Sequence, residues 1–160
     1  MFFYYVFGMN FREALEEDLE DIVGMLAEDK LGARREELKS PLPSSYTEAF
    51  KQIETDPNNE LIVVEKDNFV IGTLQLTFIP SLTFKGGTRL QIEAVRVHKD
   101  YRSQGLGKKF FEWAIERAKS RNCHLVQLTT NKERDRAKDF YDSLGFETTH
   151  EGMKLYLKPW

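Results

Sequence analysis

Two glycines one residue apart, Gly105 and Gly107, stand between Arg102 and the pair Lys108-Lys109. An apolar, β-branched run ends at Val97 just before them, and an amphipathic helix starts just after. A strand, a glycine turn and a helix N-terminus together make an anion site from backbone alone. The first helical turn has unpaired N–H groups and the positive end of the macrodipole. Glycine lets an anion approach those groups closely. The chemistry this stretch points to is the holding of a phosphate or pyrophosphate.

Other glycine motifs can be tested against the same residues. A Walker loop needs a glycine where Arg102 stands and a hydroxyl residue where Lys109 stands. A dinucleotide fingerprint needs a third glycine where the chain has Phe110. Neither fits. A plain strand-to-helix turn explains one glycine, but not two together with Arg102, Lys108 and Lys109.

The elements that must position this turn follow from periodicity. Phe11 to Ala14 reads as a strand. Glu16 to Glu28 carries Leu19, Ile22, Val23 and Leu26 at helical spacing. Residues 29–46 are irregular, with Pro41 and Pro43 as breakers and a mixed charge run from Lys30 to Lys39. Tyr46 to Thr55 is predicted helical, with Thr47 as its cap. Leu61–Glu65, Phe69–Ile79 and Arg89–Val97 are predicted strands, the first two joined by a hairpin turn at Lys66-Asp67-Asn68. The segment from Pro80 to Thr88 is a loop. A helix over Gln104–Arg121, a strand over Leu125–Thr129 and a helix over Arg134–Leu144 follow, the last ended by Gly145. Phe146–Thr149 and Met153–Leu157 are predicted as closing strands. The fold class is α/β (α+β): a single mixed, mainly antiparallel sheet flanked by helices.

The strand before the glycine turn breaks its own parity. Leu90, Ile92 and Ala94 share one face, Val95 and Val97 the other. Either the strand is buried on both faces, or a β-bulge near Glu93 to Val95 resets the register. A bulge would bend this central strand from its neighbour and leave backbone groups lining a slot.

Bulk properties narrow the partners. A net charge of −3 gives no general attraction to nucleic acid or an anionic membrane, so a basic local site suits a small anionic ligand. With one cysteine, Cys123, the chain can form no internal disulfide, which fits a reducing, cytoplasmic setting. Residues 1–8 are aromatic-rich but too short to cross a bilayer, and they lack a signal peptide's flanks. They are expected as an extension outside a single domain spanning 9–160. The alternative is an added edge strand or an aromatic contact in a homodimer. No metal-ligand spacing is present.

The stretch from Ile92 to Gly145 resembles the GNAT superfamily of N-acetyltransferases. Arg102-Ser103-Gln104-Gly105-Leu106-Gly107 matches its Gln/Arg-x-x-Gly-x-Gly/Ala signature. Ala137-Lys138-Asp139-Phe140-Tyr141-Asp142-Ser143-Leu144-Gly145-Phe146 resembles its Ala-x-x-Phe-Tyr-x-x-x-Gly-Phe segment. The resemblance implies a GNAT-like fold with a bulged central strand and acetyl-CoA as cosubstrate. It implies that Arg102, Ser103, Gln104, Gly105, Leu106, Gly107 and Lys108 hold the pyrophosphate. The backbone of Val95, Arg96 and Val97 would pair with the pantetheine and acetyl carbonyl. Asn131, Phe140 and Tyr141 join the cosubstrate side, although Phe140 also reads as core packing.

The implied reaction moves an acetyl group to a primary amine of a small molecule or peptide by direct attack. Tyr141 is the candidate acid for the leaving thiolate. Glu93 is the candidate base, against a reading as an exposed glutamate or a partner of Arg89 or Arg96. His98 competes for the base role, but a loop position favours a solvated histidine. The alternative function is a CoA-binding sensor or assembly module without catalysis. A nucleotide-binding domain is disfavoured by the missing Walker and dinucleotide features.

Overall fold

In the computed structural model, residues 4–6, 8–28, 31–134 and 137–158 are described. Asp67 and Asn68 take left-handed φ values of 51° and 66°, which folds β3 (Asn59–Lys66) back onto β4 (Phe69–Pro80) through a two-residue turn. β2 (Met9–Glu13) lies on the other side of β3, and β5 (Thr88–Val97) on the other side of β4, both antiparallel. β6 (Cys123–Leu128) runs parallel to β5. Parallel neighbours need a crossover. It is made by α4 (Leu106–Ser120), the helix that follows the glycine turn.

β1 (Tyr4–Val6) adds an edge strand to β2, the arrangement that the sequence offers as the alternative to an extension outside the fold. Met1, Phe2, Phe3 and Phe7 lie outside the described residues, as does Lys30 of the mixed charge run. The sheet order is β1-β2-β3-β4-β5-β6. It is a single mixed, mainly antiparallel sheet flanked by helices, as the sequence predicts. No described helix is long and apolar enough to cross a membrane.

Two cores lie on opposite faces. Phe11, Ile62, Val64, Leu74, Leu76, Phe78, Leu90 and Ile92 pack with Phe110, Phe111, Trp113 and Ala114 of α4. Val63 packs with Leu19 and Ile22 of α1 (Leu19–Ala27) and Phe50 of α2 (Ser44–Thr55). The buried Arg12 guanidinium joins the layers through Asp18 at 2.7 Å and Glu65 at 2.6 Å. The bond to Asp18 chiefly, then Glu65, outweighs burial and holds Arg12 firmly charged.

Gly72 on β4 fits α4 to the sheet. A Cβ there would lie 2.2 Å from the Phe110 ring and 2.8 Å from the Arg96 carbonyl oxygen. Gly72→Val should therefore lower stability by about 3 kcal/mol, read as a lower urea midpoint with an unchanged m-value.

The structure differs from the sequence reading in three places. α2 begins at Ser44 after Pro43, so Thr47 sits inside the helix and is not its cap. The loop after β4 contains a single helical turn, α3 (Thr83–Gly86), interrupted by left-handed Phe84 and Lys85. The final helix, α5 (Ala137–Ser143), lies within the predicted Arg134–Leu144, of which residues 135 and 136 lie outside the described residues. Residues 146–149 and 153–157 form no strands; Met153, Leu155 and Leu157 are exposed. Their alternation suits a strand, but no described strand pairs with them.

Candidate functional site

The parity break is a bulge. Thr73 pairs with Arg96 and Gln75 with Glu93, so Leu74 alone faces both Ala94 and Val95. Ala94 takes φ 53° to accommodate the extra residue. The reset brings Val95 and Val97 against the same core as Leu90 and Ile92. Pairing between β5 and β6 ends at Ile92 opposite Leu128. Beyond that point Glu93–Val97 has a strand partner on its β4 side alone among the described residues. Side chains hold two of its carbonyls: Arg96 Nη1 donates to Val95 O at 2.9 Å, and Arg102 Nε to Val97 O at 2.9 Å.

The turn after β5 is set by local chemistry. His98 Nδ1 accepts from the Asp100 N–H at 3.4 Å and caps a single 3-10 turn over Lys99–Tyr101. Its ring is thus engaged in shaping the turn. Ser103 takes φ 61° and Gly105 φ 74°. At Gly105, the N-cap of α4, the left-handed backbone favours glycine. No side chain caps α4, so its first-turn N–H groups are left for another acceptor.

Those N–H groups border a pocket of about 280 Å³. It is lined by Val97, by Tyr101, Arg102 and Ser103 of the turn, by Gly105–Lys108, and by Phe140 of α5. The structure thereby brings together most of the residues the glycine motif nominated. Arg102 also meets Glu28 at the end of α1. Lys108 is mostly exposed, with Glu112 at 3.9 Å. An uncapped helix end with two basic side chains at its rim fits a pyrophosphate. Gln104 instead turns back to the Asp100 carbonyl at 3.3 Å and is not in the lining.

Tyr141 follows Phe140 on α5 and packs against its ring, but it is not itself in the pocket's lining. Its ring makes edge contacts with Phe111, Phe140 and Phe146 at 5.5, 5.4 and 6.1 Å. The helix ends in a Schellman arrangement: Phe146 N–H donates to Tyr141 O, and Gly145 N–H to Asp142 O. Gly145 supplies the required φ of 85°. Burial raises the Tyr141 hydroxyl above its ordinary value, opposed by positive charge on Arg134 and Arg96. The hydroxyl therefore stays protonated at neutral pH.

The remaining nominated residues are more peripheral. Glu93 is exposed on the bulged segment. Asn131 is exposed, and its side-chain oxygen accepts from the Glu133 N–H at 2.9 Å, which shapes the turn before α5. Tyr101 was not singled out by the sequence, yet it lines the pocket and packs on the main core. The available signal was an aromatic residue inside an otherwise polar turn. Among the described residues, no group of three His, Cys, Asp or Glu side chains could hold a metal.

The acetyltransferase (GNAT) family model matches residues 15–146. A glucosamine 6-phosphate N-acetyltransferase from Trypanosoma brucei brucei is 32% identical over 88 residues, 55% of this chain and 58% of that protein. The match therefore spans little more than half of that relative's length. An uncharacterized N-acetyltransferase from Archaeoglobus fulgidus is 25% identical over 144 residues, covering 90% of this chain and 97% of the other. A solved structure of a transcriptional regulator from Bacillus halodurans C-125 superposes with TM-score 0.90 at 52% identity, covering 93% and 99% of the two chains. The matched region takes in the bulged strand, the glycine turn, the pocket and Tyr141, and this chain belongs to the acetyltransferase (GNAT) family.

Proposed function

We propose that the protein transfers the acetyl group of acetyl-CoA to a primary amine by direct attack. The observation that carries this reading is the pocket at the uncapped start of α4, placed at the end of a strand that bulges opposite β4 and has no parallel partner after Ile92 among the described residues. Arg102, Ser103 and Gly105–Lys108 would hold the pyrophosphate, with Phe140 against it. The backbone of Val95, Arg96 and Val97 would orient the pantetheine and the thioester, and Asn131 would border the opposite side.

A lysine-like amine has a pKa near ~10.4 and must lose a proton before it attacks. Glu93, directly or through water, takes that proton. The new bond joins the amine nitrogen to the acetyl carbon, and the carbon–sulfur bond breaks. A backbone N–H near Val97 stabilises the carbonyl oxygen as negative charge builds. Tyr141 gives its proton to the departing sulfur, and burial keeps that proton in place until it is needed.

The test is a panel of primary amines incubated with acetyl-CoA while free thiol is measured. Thiol release that depends on the amine is expected. A second reading, binding of acetyl-CoA as a sensor without transfer, draws on the 52% identical structure described as a transcriptional regulator. Tight acetyl-CoA binding with no thiol release from any amine favours that second reading.

A further inference from the structure

The sheet face away from α4 changes character toward the slot. Under α1 and α2 it is apolar, with Leu61, Val63 and Val70. Farther along it becomes polar. Leu76, Phe78, Leu90 and Ile92 are buried in the core under α4. Strand side chains alternate, so Gln75, Thr77, Gln91 and Glu93 stand on the opposite face. Val126 and Leu128 pack on that same core, which places Gln127 with them.

Register aligns three of these polar positions with Asn59 across four strands. Asn59 faces Thr77, Thr77 faces Gln91, and Gln91 faces Gln127. The row is pinned at both ends. Asn59 Nδ2 donates to Asp56 at 2.6 Å, and Asn59 Oδ1 accepts from Thr77 Oγ1 at 2.9 Å. Gln127 Nε2 donates to Gln91 Oε1 at 2.7 Å. These side chains are half-buried, and no described residue uses the amide oxygens of Gln75 or Gln127.

Charge is placed asymmetrically around the row. Glu93 lies two residues from Gln91, at the end where β5 and β6 part. Arg89 lies two residues away in the other direction, and its buried Nε has no hydrogen-bond partner. At ~3.3 Å per residue, the two backbone positions are about 13 Å apart. A carboxylate, a neutral amide and a guanidinium therefore follow one another along β5.

Resting on the acetyltransferase reading, we infer that the acceptor is a compact primary amine whose hydroxyl-rich body ends in an anionic group. The amine sits toward Glu93, the hydroxyls bond the Gln91–Gln127 pair and Gln75, and the anion faces Arg89. Guanidinium suits a phosphate or carboxylate at that end. An arylalkylamine would strip water from the amide row without replacing its hydrogen bonds. A lysine-rich peptide would meet repulsion at Arg89 and one carboxylate at Glu93.

The test compares acetylation of four amines: an amino-sugar phosphate, the same sugar without phosphate, a hydroxylated amino acid, and a lysine peptide. At least one anionic hydroxylated amine should exceed the peptide in kcat/KM by about tenfold or more. Whether the sugar phosphate or the amino acid leads distinguishes a phosphate from a carboxylate at Arg89. Arg89→Gln should erase the preference for the phosphorylated over the plain sugar, or for the amino acid if that leads. Replacing Gln91 and Gln127 by Leu together should raise KM for the hydroxylated amines about tenfold, with a smaller change in kcat and an unchanged KM for acetyl-CoA. A preferred lysine peptide, or an Arg89→Gln enzyme with the wild-type preference, overturns the inference while leaving acetyl transfer intact. Thiol release with no amine at all overturns the transferase reading and the acceptor with it.

Discussion

Gly107→Asp should weaken acetyl-CoA binding by about 10²-fold or more while leaving the fold standing. A Cβ at Gly107 would lie 3.6 Å from the Phe140 ring, an ordinary contact. Gly107 is the second residue of α4, where a negative side chain favours the helix dipole. The substitution should therefore not lower the melting temperature. It does place a carboxylate among the N–H groups that would hold the pyrophosphate. That carboxylate competes for those donors and repels the incoming anion. A hydrogen bond to a charged group contributes about 1.5–3 kcal/mol. Loss of two of them raises Kd by roughly 10²-fold or more. Titration calorimetry reads the affinity, and a circular dichroism melt reads the fold. Wild-type affinity in a folded Gly107→Asp protein would place the anion elsewhere.

Tyr141→Phe should separate chemistry from binding. The ring remains, so the contacts with Phe111, Phe140 and Phe146 survive. The hydroxyl alone is lost. A positioned acid typically contributes on the order of 10²–10⁴ in rate. We expect kcat to fall by about 10² or more while acetyl-CoA affinity changes little. The pH profile carries a second signature. Burial raises the Tyr141 hydroxyl, so it keeps its proton throughout the neutral range. Wild-type turnover should therefore rise with pH as the amine deprotonates, with no downturn from Tyr141 near neutrality. Steady-state kinetics checks both; unchanged turnover in Tyr141→Phe removes it from the mechanism.

The legibility of this chain was uneven, for physical reasons. The bulge could be read because it leaves a trace in side-chain parity: Leu90 and Ile92 against Val95 and Val97. The turn could be read because a left-handed N-cap favours glycine, so Gly105 carries that information itself. The hairpin at Asp67-Asn68 was legible on similar grounds, since both residues tolerate left-handed φ.

Pairing was less legible. Met153, Leu155 and Leu157 alternate as a strand does, but alternation says nothing of which edge a strand meets. Tyr4–Val6 shows the converse, a short aromatic run whose partner, β2, lies just beyond a tight turn at Gly8. Tyr101 escaped notice because turn position usually signals solvent, whereas here it packs on the core and lines the pocket. The amide row escaped because its members come from four strands and are united by register, not by spacing in sequence.

The central claim is that one acetyl group passes from acetyl-CoA to one amine nitrogen on this protein. The most direct measurement is the stoichiometry of the two products, with free thiol and N-acetylated amine quantified by mass spectrometry in the same reaction. They should appear one for one, and at limiting acetyl-CoA both should fall by about 10²-fold or more in Gly107→Asp. Thiol without acetylated amine, or tight binding of acetyl-CoA with neither product, contradicts it.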